Sequence, residues 1–197
     1  LIFYLLFAEH DYKKTIDIKS FYIRRILRIW PLYMGFGLVL IFGIDHALKL
    51  LGTPVNTPVF VNLFYLLTFS INLQLLFSGI NRGIIELYWS VCIEEQFYLV
   101  APWLVKKWFN KMLYVIIALI VVGIASKFFM RWLEIDQGYR FNNNNPLYFF
   151  TLCRIDNFGM GALAAYIYFR KDLYSKVEKF VTNKWIQVAV ALFTILY

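Results

Sequence analysis

The chain has 197 residues, 61% of them hydrophobic and 20% aromatic, with a mean hydropathy of +0.62, whereas a soluble domain is about 45–50% apolar and about 25% charged. A water-solvated fold has no place for that much apolar surface. Its 20 Lys and Arg against 12 Asp and Glu give a net charge of +8, and the basic residues fall between apolar runs instead of forming one patch, which points to topogenic signals and anionic lipid headgroups and away from nucleic acid.

Residues 1–8 are apolar, too short to span, and lack the basic n-region of a signal peptide, so they read as the tail of a cut helix. The stretch 9–28 carries Lys13, Lys14, Lys19, Arg24, Arg25 and Arg28 and is expected as a cytoplasmic loop. Beyond Pro31, residues 32–51 are long enough to cross a hydrocarbon core about 30 Å thick, with Asp45, His46 and Lys49 near the outer end. Pro54 and Pro58 mark a turn. The apolar segment 59–77 is diluted by Asn62, Thr68, Ser70, Asn72 and Gln74, and segment 84–105 ends in Lys106, Lys107 and Lys111. Residues 112–130 are the cleanest span, 131–146 a polar loop, 147–169 another apolar run, 170–184 strongly basic, and 185–197 an apolar helix too short to cross. The expected fold is all-α: a polytopic transmembrane helix bundle of roughly five to six membrane segments, one membrane-embedded domain over 1–197 that lacks both ends, multi-pass in the cell (inner) membrane.

Placing all three basic stretches inside requires an even number of crossings between Arg28 and Lys106, yet three apolar segments lie there. Either 59–77 is re-entrant or interfacial, or it and 84–105 together make one crossing. Broken backbone at membrane depth is tolerated where protein buries it or water lines it, so a cavity is expected near residues 59–98.

Three constellations could carry chemistry. In Phe21-Tyr-Ile-Arg24-Arg25-Ile-Leu-Arg28-Ile-Trp30-Pro31, the three arginines share one helical face. Charge alone leaves two readings open: topogenic charge anchored on lipid phosphate, or a clamp for the phosphates of a cytoplasmic donor, since guanidinium forks bind phosphate bidentately. In the run from Glu86 to Pro102, Glu86, Ser90, Glu94 and Tyr98 form a polar stripe on an apolar helix, facing protein or water, with a structural ion pair as the alternative to a functional role. The third is Arg154-Ile-Asp156-Asn157-Phe-Gly159-Met-Gly161-Ala-Leu-Ala-Ala165. Arg154 lies about 10 Å into its segment at 1.5 Å per residue and needs a partner. Glu94 is the one expected, with Asp156 facing elsewhere. Gly161 and Ala165 have small-xxx-small spacing for close helix packing.

Cys92 and Cys153, each inside an apolar segment, indicate neither a disulfide framework nor a metal site. His10 and His46 read as solvated or locally hydrogen-bonded. No nucleophile elbow, P-loop, HExxH or dinucleotide fingerprint occurs, and nothing in the sequence suggests a bound metal.

In order and spacing these motifs resemble the acyltransferase-3 family, membrane proteins that O-acylate envelope polysaccharides and lipids. Arg25-Ile-Leu-Arg28-Ile-Trp-Pro31 is similar to its RxxR segment. Trp89-Ser90-Val-Cys-Ile-Glu94-Glu-Gln-Phe97-Tyr98-Leu with Pro102 is similar to its WSLxxExxFYLxxP signature, and Arg154-Ile-Asp156 before Gly161-Ala-Leu-Ala-Ala to a later motif. The resemblance implies cytoplasmic acyl-CoA, usually acetyl-CoA, as donor, and transfer of its acyl group to a hydroxyl of an envelope sugar, polysaccharide or lipid on the far side. It further implies Arg25 and Arg28, with Arg24 beside them, at the CoA entrance, and Glu94 and Arg154 in supporting roles around a buried reaction chamber. The family's base is a His in its first transmembrane helix, upstream of Leu1, and neither His10 nor His46 occupies a corresponding place. Buried Arg and carboxylates also line transport paths, so a transporter or flippase for an envelope glycan or lipid precursor is the competing expectation, and a non-catalytic membrane scaffold the third.

Overall fold

The structure is a computed structural model that describes residues 2–44, 58–77, 87–138, 141, 145–184 and 187. Among the described residues it is all-helical: α1 (Ile2–Lys13), α2 (Ile18–Val39) with a π-helical extension (Leu40–Ile44), α3 (Val59–Leu67), α4 (Ile71–Phe77), α5 (Trp89–Trp108), a 3-10 turn (Phe109–Lys111), α6 (Met112–Ile135), α7 (Pro146–Phe149), a 3-10 segment (Thr151–Arg154), α8 (Ile155–Phe169) and α9 (Lys171–Val181). Two of these helical stretches, Ile18–Gly43 and Trp89–Ile135, are long and apolar enough to cross a membrane.

Helix α1 buries Ile2, Phe3, Leu6 and Phe7. It ends where the Lys14 N–H donates to the His10 carbonyl at 2.8 Å and Lys14 turns the chain with φ of +58°. Asp17 then caps α2, its carboxylate accepting from the Ser20 N–H at 3.1 Å and the Ser20 hydroxyl at 2.5 Å, bonds that hold its carboxyl below the usual range. The stretch 9–28, expected as a loop, is therefore mostly helical, and the span expected at 32–51 starts instead at Ile18, so the arginines ride on the helix itself. Pro31 does not interrupt it, although a proline removes one N–H and frees the carbonyl four residues before it. Asp45, His46 and Lys49 lie outside the described residues.

Side-chain contacts fix the order of helices. Tyr22 donates to the Leu99 carbonyl at 2.7 Å, Trp30 to Glu95 at 3.2 Å, and Tyr33 sits 3.2 Å from the Cys92 sulfur, so α5 runs antiparallel to α2. Phe97 stacks on Phe158 with centroids 4.1 Å apart, while Gly159 lies against Ile120, so α6 folds back beside α5 and α8 runs against α6. His10 stacks on Phe109 at 3.5 Å, and Asp11, Asn110 and Arg170 line one small cavity of about 260 Å³. All three basic stretches thus meet at one end of the bundle, as the charge pattern requires.

The segment 59–77 makes that possible. It is a hairpin of two short helices, α3 and α4, turning at Thr68–Ser70. Phe69 adopts φ of +50°, an unfavourable left-handed conformation for a bulky residue. It is held there by the stack of its ring on Tyr33 at 4.3 Å and by the Gln96 amide, which donates to its carbonyl at 2.7 Å. The last turn of α3 packs beside Gly37, where an added Cβ would lie 2.5 Å from Leu66. The hairpin leaves toward Phe141, which follows the far end of α6 and contacts Phe77 at 6.4 Å. Both its ends point away from the basic pole.

The run 147–169 is also broken. Asn145 caps α7 through the Leu147 N–H at 3.0 Å, Pro146 starts it, and Phe150 is extended before the 3-10 segment. Where α8 resumes, the close packing is not made by Gly161, which has open space around it. It is made by Gly159 and by Gly123 of α6, whose Cβ would lie 2.6 Å from the Asp156 backbone nitrogen. Asp156 in turn pairs with Lys127 at 2.5 Å. Around this core large apolar side chains stay exposed, Leu32 at 77% and Phe128 at 71% among them, the kind of apolar surface that water-soluble monomers avoid.

Gly123→Ala is expected to destabilise the chain in detergent by about 1–3 kcal/mol through overpacking, with Gly159→Val behaving alike and Gly161→Ala neutral. Thermal unfolding of the three variants checks the assignment, and a Gly161→Ala defect matching that of Gly123→Ala refutes it.

Candidate functional site

The arginines of α2 converge on a cavity of about 310 Å³ lined by Leu5, Leu6, Glu9, Phe21, Arg24, Arg25 and Arg28. The sequence produces it in two steps: the Asp17 cap sets the helical phase, and the i, i+1, i+4 spacing then turns all three guanidinium groups toward α1. Each is held differently. Arg24 pairs with Glu9 at 3.2 Å, and Glu9 also takes Lys13 at 3.4 Å. Arg25 lies over the Tyr98 ring at 4.8 Å and the Phe21 ring at 5.6 Å, a cation–π sandwich that fixes its plane. Arg28 has no acidic partner among the described residues. The cavity therefore keeps a net positive character, with one guanidinium oriented and one available to a bound anion.

Tyr98 ties this pocket to the second constellation, because its hydroxyl donates to the Glu94 carboxylate at 2.9 Å. The i, i+4 relation thus holds between Glu94 and Tyr98, but Glu94 is exposed, unlike the buried chamber position the resemblance implies, and the buried carboxylate is its neighbour Glu95. One Glu95 oxygen accepts from the Trp30 indole at 3.2 Å, while Oε1 has no partner among the described residues. Sequence reasoning passed over Glu95, although a signal was present: Glu95 stands three residues after Cys92, on the apolar face of the same helix. Glu86, the first member of the stripe, lies outside the described residues.

Among the described residues of 59–98, where a cavity is expected from the sequence, the bundle holds a network of amides. Asn72, fully buried, donates to the Phe149 carbonyl and to the Thr151 hydroxyl, both at 3.0 Å, and its oxygen accepts from Gln96 at 3.0 Å. Thr151 donates to Gln96 at 2.5 Å, and Gln74 donates to Asn62 at 2.7 Å. These residues were legible as diluents of an apolar segment but not as a network, since their partners are far apart in sequence.

Arg154 does not pair with Glu94. It ends the 3-10 segment, donates from Nε to the Tyr148 carbonyl at 3.1 Å, and lies over the Tyr148 and Trp89 rings at 4.3 and 5.5 Å. The physical reason is the helix break at Phe150, which swings Arg154 back onto aromatic faces and a freed carbonyl. Trp89 and Tyr98 are nine residues apart on α5, about 14 Å at 1.5 Å per residue. The first and third constellations thus sit at opposite ends of the second. Of the two histidines, His46 lies outside the described residues, and His10 packs on Phe109.

Chemically, the Arg24–Arg25–Arg28 pocket can hold a phosphate or pyrophosphate at the basic pole, while Glu95 and the amide network offer hydrogen bonds deeper in. No family model matches the chain, and neither a curated protein nor a solved structure matches it.

Asn72→Leu is expected to cost roughly 1–3 kcal/mol for each buried group it leaves unpaired, with Thr151→Val milder, as read by unfolding in detergent. Equal stability of Asn72→Leu and wild type removes the network's structural role. Burial, reinforced by the Lys14 charge, pushes the His10 imidazole below its ordinary value of 6.5. The folded state resists the proton, so what His10 contributes is present at neutral pH and is lost as pH falls through the depressed value. NMR titration should place the His10 midpoint below that of a free imidazole, and a midpoint at or above 6.5 contradicts it.

Proposed function

We propose that this chain acts in a multi-pass membrane enzyme that transfers an acyl group, acetyl in the usual case of the resembled family, from cytoplasmic acyl-CoA to a hydroxyl of an envelope sugar, polysaccharide or lipid. The observation that carries the reading is that Arg25, from the RxxR segment, rests on Tyr98, from the Trp-Ser…Glu…Phe-Tyr segment, at the mouth of a pocket lined by three arginines. Two of the three motifs that support the resemblance meet there, at the pole the positive-inside rule assigns to the cytoplasm.

In this reading α2, α5 and α6 cross the bilayer, the α7–α8 run crosses as a broken helix, and the α3–α4 hairpin is re-entrant. The segment 185–197 of the expected five to six lies almost wholly outside the described residues. Arg28 and Arg25 hold phosphates of the donor. Transfer breaks the thioester C–S bond and forms an ester C–O bond, with the hydroxyl proton ending on the CoA thiol. Glu94 orients Arg25 through Tyr98, and Arg154 lies toward the acceptor side. Envelope acceptors and surrounding lipids are the partners this geometry supports.

The test follows labelled acetyl from acetyl-CoA to envelope glycan in membranes carrying the full-length protein. Arg28→Ala is expected to raise KM for the donor roughly 10- to 100-fold, the loss of one charge-assisted phosphate contact, with kcat little changed. Glu94→Gln should produce a smaller KM effect through Tyr98. Wild-type membranes that move glycan but transfer no label favour the transporter reading and overturn this one.

A further inference from the structure

A second, quite different cavity lies on the outer surface of the bundle, a groove of about 430 Å³ between α5, α6 and the start of α8. Leu104, Ala118, Val122 and Ile155 make its apolar walls, and Trp108 and Lys111 stand at its end by the basic pole. Lys107 is beside them, its ammonium 4.9 Å from the centre of the Trp108 ring. From Lys111 to Val122 the groove runs about 16 Å along α6 at 1.5 Å per residue. Half of a hydrocarbon core is about 15 Å, so the groove extends from one interface to the midplane, the depth of a single leaflet.

Charge decides what fits. Between Glu95 and Glu134 the chain has no acidic residue, but it has Lys106, Lys107 and Lys111 at this one turn. A protein helix packed in the groove would cover Lys111 with no carboxylate from these helices to pair it, at a high cost in an apolar setting. A lipid phosphate supplies the missing charge at the right height, and indole and ammonium groups are the usual anchors there.

We propose that this groove binds one acyl chain of an anionic phospholipid from the leaflet at the basic pole, with the headgroup phosphate held by Lys111 and Lys107. The inference rests on the membrane reading but not on acyl transfer, and it separates a specific lipid site from ordinary solvation by the bilayer.

The full chain is reconstituted into phosphatidylcholine vesicles doped with either phosphatidylglycerol or phosphatidylcholine bearing a photoactivatable acyl chain, and labelled peptides are mapped. Labelling of residues 104–122 is expected to be roughly fivefold or more stronger with phosphatidylglycerol, in keeping with two lysines at an anionic surface. It should fall to the phosphatidylcholine level in Lys107→Glu/Lys111→Glu. Ala118→Trp, which fills the groove and leaves the lysines, should lower labelling there with both lipids while labelling of α2 is unchanged, which reports an intact fold. Equal labelling by the two headgroups, or no loss in the double variant, overturns the site. Protection of 104–122 from both lipids while α2 is labelled identifies a helix as the occupant and overturns it too. No labelling anywhere defeats the membrane reading itself.

Discussion

The carbonyl of Phe149 loses its helical partner where the chain extends at Phe150, and the Asn72 amide replaces it at 3.0 Å. Much of the interior follows from that substitution. An unpaired carbonyl among apolar side chains costs several kcal/mol, so the break at Phe150 can exist where another element delivers a donor to it. The donor comes from the α3–α4 hairpin, and the hairpin in turn can turn at Phe69 because Gln96 of α5 takes the Phe69 carbonyl. Asn72, Gln96 and Thr151 then close on one another. Two interruptions of regular helix stabilise each other, which neither could do in an isolated span.

This coupling sets the geometry of the candidate site. The hairpin lets α2 and α5 lie antiparallel with their basic ends together, which brings Arg25 onto Tyr98. The break at Phe150 turns Arg154 onto Trp89, at the other end of the same helix. The Asn72–Gln96–Thr151 network sits between the two. Within the basic pole the three arginines differ: Arg24 is paired with Glu9, Arg25 is fixed by aromatic faces, and Arg28 has no acidic partner among the described residues. A clamp with one guanidinium oriented in advance loses less side-chain entropy on binding an anion than one built from three mobile side chains.

Much of the fold was legible in the sequence because composition and charge act over whole segments. The apolar content demanded helices with satisfied backbones, and the three basic stretches demanded an even number of crossings between Arg28 and Lys106. That demand, set against three apolar segments, left two readings open, a re-entrant or interfacial 59–77 or a single crossing shared by 59–77 and 84–105, and the short hairpin of α3 and α4 is in keeping with the first. Boundaries were less legible. The Asp17 cap, with Ser20 three residues on, starts α2 ahead of the arginines, and hydropathy does not register a cap. Gly161 and Ala165 have packing spacing, yet Gly159 and Gly123 make the contact, since spacing alone does not say which face of α8 meets α6.

The carboxylates show where local rules stop. The i, i+4 relation correctly linked Glu94 with Tyr98, because that pair is decided within one helix. Whether Glu94 or Glu95 turns inward is decided by what α2 presents, and Trp30 presents an indole N–H to Glu95. The buried chamber position for Glu94 came from the resemblance, which the i, i+4 relation neither contains nor tests. The consequence bears on mechanism. An exposed Glu94 that accepts from a tyrosine hydroxyl can tune the orientation of Arg25. Glu95 is the buried carboxylate, with one oxygen tied to Trp30 and the other unpartnered among the described residues, so the side chain that faces the bundle interior is not the one that the motif makes conspicuous.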